Sequence, residues 1–294
     1  MVFNNLPNDT LNYILEFINQ NGARIIQYDI EKNIFFEKEN AVYVYNVLLL
    51  QKNGINLKNI KKELQTEDIC KLAVQQNKLA LKFVSKEFKT EDICKLAVQD
   101  DFDPDIHGLI KYVHPLKYVD KQTDEICKIA VQHHGLSLQY VKKEFKNRNL
   151  CKFAVQQNGN ALQYVNKEFQ TEKICIIAVK QDGMLLQFVK TQSNTICKFA
   201  VQKEGTALRF VNDDLKTEEI CKLAVQQNGN ALQYVETQTE EICILAVKEY
   251  SLALKYVKEQ TKNICDIIND RCSFWDMGSI NYMKPEFQRQ KYKI

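Results

Sequence analysis

The sequence has only four prolines and nine glycines in 294 residues. That is too little turn chemistry for a sandwich or barrel of short strands, which needs a break about every ten residues. Histidine is confined to positions 107, 114, 133 and 134, and there is no phosphate-binding glycine loop, G-x-S-x-G elbow or H-E-x-x-H helix. The usual catalytic constellations are therefore missing, and a non-enzyme is expected. No run of about 18 apolar residues is present for a membrane span. Asn4, Asn5, Pro7, Asn8 and Asp9 interrupt the stretch where a secretory leader would be basic and then apolar, so an intracellular chain with no membrane partner is expected. Charge of one sign is also lacking: 40 basic against 37 acidic residues leave a net charge of +3, too balanced for counterion release to dominate binding. On composition alone, nucleic acid is an unfavoured partner.

What the sequence does have is cysteine at a fixed interval. Nine of the ten cysteines stand at 70, 94, 127, 151, 175, 197, 221, 243 and 265, with successive spacings of 24, 33, 24, 24, 22, 24, 22 and 22. Such a period marks a repeat architecture. The unit reads T-E-E-I-C-K-L-A-V-Q-Q-N-G-N-A-L-Q-Y-V at residues 217–235 and recurs closely at 147–165, 171–189 and 193–211. A tenth, degenerate unit precedes the nine: aligning 50–54 with 225–229 puts Asn46 in the cysteine slot.

Four residues before each repeat cysteine stands Thr, Ser or Asn, from Thr66 to Thr261, a column of helix N-caps. Acidic residues such as Glu218 and Glu219 follow in the first turn, where they complement the helix dipole. Eight residues after the cysteine, Gly135, Gly159, Gly183, Gly205 and Gly229 suggest a left-handed helix stop. At 100° per residue Ile220, Cys221, Leu223, Ala224 and Val225 form an apolar arc of roughly 200°, the mark of a helix flanked on both sides. The following A-L-Q-Y-V reads as a short second helix. The expectation is an all-α fold, an α-solenoid of about ten short helix-pair repeats of 22–24 residues. The array would run over residues 46–272, between an N-terminal segment of residues 1–45 and a C-terminal cap and tail of 273–294.

The core I-C-K-L-A-V-Q-Q-N-G-x-A-L-Q-Y-V resembles the repeat catalogued as domain of unknown function 4116, found chiefly in giant viruses of amoebae and in some protists. The resemblance covers roughly residues 66–265. It brings no catalytic residues or cofactor, and it implies a giant-virus origin, with the host-cell cytoplasm or the virion as location.

For the cysteine column the expectation is packing. Zinc wants close pairs such as C-x-x-C, which are absent, and neighbouring repeat helices about 8–10 Å apart stand too far for a disulfide. An insertion between Gln99 and Asp120 opens like a calcium loop at Asp101, Asp103 and Asp105. Ile106 stands where that loop needs glycine and Tyr112 where it needs glutamate, so no metal or other cofactor is expected; the residues read as a solvated loop with an extra helical turn. Two outward columns are the candidate interaction residues: Lys128, Lys152, Lys198 and Lys222, with Gln132, Gln156, Gln202 and Gln226 on the same side. Stacked into ladders, they suit an unknown protein lying along the solenoid, with a repeat-by-repeat RNA reader as a further alternative. At the N-terminus, Leu6 and Pro7 followed by Ile14 and Leu15 resemble the start of an F-box. That resemblance implies docking of those four residues on a Skp1-like adaptor, and hence a substrate adaptor of a host ubiquitin ligase. Echoes of the repeat at 20–22 and 26–28 fit a capping segment equally.

Overall fold

A computed structural model of the chain describes residues 38–99, 114–271 and 278–288. Ten α-helices and no strand occur among the described residues. The helices are α1 (Lys38–Lys52), α2 (Glu67–Gln76), α3 (Glu91–Val98), α4 (Asp124–His133), α5 (Arg148–Gln157), α6 (Glu172–Gln181), α7 (Asn194–Lys203), α8 (Glu218–Gln227), α9 (Glu240–Glu249) and α10 (Lys262–Arg271). The fold is an all-α repeat solenoid, and the chain divides into two compact units. The first comprises Met1–His133 with Tyr140–Phe145, and the second His134–Gln139 with Lys146–Ile294.

In the first unit α1 to α4 pack in succession, and beside them the 3₁₀ helices Gly54–Asn59, Lys78–Phe83 and Pro115–Tyr118 form a parallel row. In the second unit α5 to α10 make one row, and the 3₁₀ helices from Gly159–Tyr164 to Ser251–Tyr256 make the other. The second segment of each repeat is thus helical but 3₁₀. Its six residues, four in Pro115–Tyr118, are too few to nucleate an α-helix in isolation, and an i→i+3 turn closes within that length. In most repeats a further 3₁₀ turn follows, such as Lys86–Phe88 or Lys167–Phe169.

The helix starts follow from the cap column. The Thr66 hydroxyl accepts from the Ile69 amide, Thr217 caps Ile220 in the same way, and Asn147 caps Leu150 at 2.9 Å. Thr171 is the exception, with no side-chain cap bond. At the other end the expected left-handed stop does not occur. The chain leaves the helix through an extended residue, Asn77, Asn158 or Asn228, with φ near −150°. The same asparagine side chain then accepts from the amide two residues on, as Asn158 does from Asn160 at 3.0 Å, and so caps the 3₁₀ helix. One residue both closes the α-helix and opens the next turn.

Glycine follows Asn158 and Asn228, and stands at the same place at Gly135, Gly183 and Gly205, for a different reason from the one the sequence suggests. A Cβ at Gly135 would lie 2.5 Å from the Ala154 carbonyl oxygen, and one at Gly229 would lie 2.5 Å from that of Ala246. Both carbonyls belong to the next helix, so glycine here sets how closely successive repeats approach.

The core is one register repeated. Ile220, Cys221, Ala224 and Val225 of α8 are buried, as are Ala231, Leu232 and Val235 of the following turn. Each fully buried leucine or isoleucine contributes on the order of 2 kcal/mol. Leu223, read as part of the apolar arc, is only half-buried. The buried stripe is therefore narrower than the sequence arc, and its outer edge faces solvent.

Candidate interaction surfaces

A ladder of amide side chains positions the surfaces of each unit. The residue just before each N-cap is glutamine at 65, 122, 170, 192, 238 and 260. Gln122 donates from Nε2 to the Tyr140 carbonyl at 2.8 Å, while its Oε1 accepts from the Lys142 amide at 2.8 Å and from the Cys127 thiol at 3.5 Å. Gln192 makes the same three bonds to Phe210, Asn212 and Cys197 at 2.7, 2.9 and 3.5 Å. Gln238 makes them to Tyr256, Lys258 and Cys243. Each glutamine thus ties one linker to the next through main-chain groups, which any sequence supplies. Gln260 extends the pattern to Tyr282 and Lys284, so residues 278–288 take the form of another linker. Lysine replaces glutamine at 89, 146 and 216; at 89 and 146 it keeps only the donor half, reaching the Tyr118 carbonyl at 2.9 Å and the Tyr164 carbonyl at 3.0 Å, whereas Lys216 pairs with Asp213 at 2.8 Å. Burial lowers the Lys146 pKa below the ordinary lysine value.

This ladder accounts for the cysteines. All nine repeat cysteines are free and buried. Burial pushes the thiols up, that of Cys70 to about 11 and that of Cys127 to about 12, so at neutral pH they remain protonated and can donate to the glutamine. A thiol held this way is a poor nucleophile, because the thiolate is the reactive form. Among the described residues no group of three histidine, cysteine or acidic side chains could hold a metal ion. His114 is buried, and its Nδ1 accepts from the Leu116 amide at 3.1 Å, the capping role that asparagine fills elsewhere. The turn it caps, Pro115–Tyr118, is the regular 3₁₀ helix of its repeat, and Pro115, Leu116 and Val119 are buried. The solvated loop and extra turn expected of the insertion fall on residues 100–113, outside the described residues. His107 and the aspartates at 101, 103 and 105 lie outside the described residues, as do Leu6, Pro7, Ile14 and Leu15.

The outward columns are placed as follows. Gln132, Gln156, Gln202 and Gln226 are exposed, and so are Lys128 and Lys152. Lys198 and Lys222 are half-buried and engaged within the fold: Lys198 pairs with Glu219 at 2.7 Å and Lys222 with Glu241 at 2.7 Å, each an acid on the next helix. The hydrogen bonds that Lys222 donates to Glu241 and then to Glu218 raise its pKa. Exposed pairs of this kind are worth about 0–1 kcal/mol, so they orient side chains more than they hold the stack.

Beside these columns lie two rows that the residue pattern did not single out as surface. One is the apolar position two after the cysteine: Ile177, Phe199, Leu223 and Leu245 are half-buried and Phe153 is 44% exposed. The other closes the six-residue 3₁₀ helices after the first, and Pro115–Tyr118, with an aromatic ring, half-buried at Phe83, Tyr118, Tyr140, Tyr164 and Tyr234. The recurrence of Tyr or Phe before the final valine was the available signal. Its meaning depends on which side of a 3₁₀ turn the ring takes. No described helix is long and apolar enough to cross a membrane.

A family model described as Domain of unknown function (DUF4116) matches residues 48–89, 123–170, 147–192 and 195–239, together more than half of the chain. No curated protein and no solved structure matches it.

Proposed function

The chain belongs to the family of the domain of unknown function DUF4116, and from that premise we propose that it is a non-catalytic scaffold for protein–protein interaction. The observation that carries this reading is the outer face of the α-helical row in the second unit. There Phe153, Ile177, Phe199 and Leu223 form an incompletely covered apolar row beside the exposed amides of Gln156, Gln202 and Gln226. Apolar anchors rimmed by neutral polar groups suit a protein surface. The groups that could do chemistry support a non-enzyme, because the thiols and His114 are spent on packing and capping.

The test is a photo-reactive residue at Gln156 or Gln202, expected to crosslink a partner protein in expressing cells, together with Phe153→Glu. That substitution should abolish the crosslink while leaving the helical circular dichroism unchanged. An undiminished crosslink in the variant would remove the apolar row from the account.

A giant-virus source and a place in the host cytoplasm or the virion follow only from the family resemblance and belong to the same proposal. The adaptor alternative rests on Leu6, Pro7, Ile14 and Leu15. If it holds, Ile14→Asp abolishes binding to a Skp1-like adaptor and leaves the repeats folded; if residues 1–45 are a cap, the same change lowers the melting temperature and the wild type binds no adaptor.

A further inference from the structure

The net charge of +3 conceals a local imbalance. In the first unit the linkers 53–66, 77–90, 114–123 and 140–145 carry eleven lysines against four acids. The described helices α2, α3 and α4 of that unit each carry two acids in the first turn against one lysine, at 71, 95 and 128. Because linkers and helices form separate rows, the positive charge of the first unit's described residues is gathered along the linker row. The aspartates at 100, 101, 103 and 105 lie outside the described residues.

The lysines keep the register of the repeat. Lys58, Lys82 and Lys117 occupy the same position in successive 3₁₀ helices, and Lys62, Lys86 and Lys143 occupy the first position of the following turn; all six are exposed. At the first register the next residue is a half-buried ring in two of the three repeats, Phe83 and Tyr118. The Lys82 Nζ lies 5.5 Å from the Phe83 ring centre and 5.9 Å from that of Tyr118, so one cation spans the rings of adjacent rungs.

We propose that this linker row binds a single-stranded nucleic acid, with phosphates on the lysines and bases against the rings of Phe83 and Tyr118. An extended polyanion complements the charge. A nucleic acid also brings flat faces to set against the rings, which an acidic peptide lacks. The proposal concerns the linker row of the first unit and is independent of the protein-binding face assigned to the second.

The experiment is fluorescence anisotropy of the full chain with a labelled oligouridylate, competed by polyglutamate and by duplex DNA, across a salt series. The expected result is salt-dependent binding that single strands compete better than either competitor. The triple variant Lys58→Glu, Lys86→Glu, Lys117→Glu should bind at least tenfold more weakly, and its log–log salt slope should be shallower by about 2, at roughly 0.7 per lost phosphate contact on a single strand. The paired control Lys167→Glu, Lys190→Glu in the second unit should bind as the wild type does. Tyr118→Leu and Phe83→Leu should each weaken binding severalfold with the salt slope unchanged, circular dichroism confirming the fold. Absence of salt-dependent binding, equal competition by polyglutamate or duplex, an equal loss in the control, or no effect of either ring substitution would overturn the proposal.

Discussion

The linkers of the two units share one backbone scheme but differ in charge: basic in the first unit, close to neutral in the second. In the first unit they hold eleven lysines and four acids, whereas linkers 158–171, 182–193, 204–217, 228–239 and 250–261 of the second hold six basic and seven acidic residues. Yet Gln122 in the first unit and Gln192 in the second make the same bonds to main-chain groups at nearly the same distances. The contrast teaches where the repeat is constrained. One amide side chain, one glycine and a buried stripe define the stack, and the remaining linker positions can vary in charge without disturbing it.

The strongest test of that division is at the glycines. Gly205→Ala should cost roughly 3 kcal/mol, because the added Cβ meets the Ala224 carbonyl, a backbone atom that only a shift of the repeat can move. Gly159→Ala should cost clearly less, since the nearest atoms there are the flexible ends of Leu185 and Gln181. Chemical denaturation of the two variants decides it, and equal losses would show that the approach of backbones is not what glycine protects.

Next in size are the rungs themselves. Gln122→Ala leaves the Tyr140 carbonyl and the Lys142 amide without this partner and should cost about 2 kcal/mol. Lys146→Gln should act in the opposite direction, raising the melting temperature by exchanging a partly desolvated cation for the full rung. A fall in that melting temperature would mean that the lysine and glutamine rungs are not equivalent.

The smallest effect concerns the cysteines, alike in both units. Cys127→Ala should cost about 1 kcal/mol at neutral pH, mostly from lost packing. Burial raises the folded-state pKa of Cys127 to about 12 from an ordinary value of 9.0. Its contribution is therefore complete below pH 9 and declines as pH rises from about 9 towards 12, where the unfolded chain ionises first. Thermal melts across that range should show the wild type losing stability more steeply than Cys127→Ala.

Much of the architecture was legible because each repeat restates it. The caps at Thr66 and Thr217, the stripe of Ile220, Cys221, Ala224 and Val225, and the packing role of the cysteines follow from residue type at fixed spacing, checked nine times over in one chain. The Gln122 column was equally visible as a column, but nothing local gives it a role: its partners lie 18 and 20 residues away in the next linker. The same holds for the aromatic row, since half-burial of Tyr118 is a property of stacked 3₁₀ helices and not of the five residues around it.

By itself, then, the sequence determined the period, the helical class, the N-caps and the identity of the buried stripe, because these depend on contacts within a turn or two and on hydrophobic periodicity. Only the tertiary structure decided three things: that the second segment is 3₁₀, that glycine serves close approach, and that lysines far apart in the chain collect on one row of the first unit. Each of these depends on atoms of neighbouring repeats meeting across distances the sequence does not encode locally. A carbonyl of the next helix decides what a glycine is for, and the stacking of linkers decides whether scattered charges add or cancel.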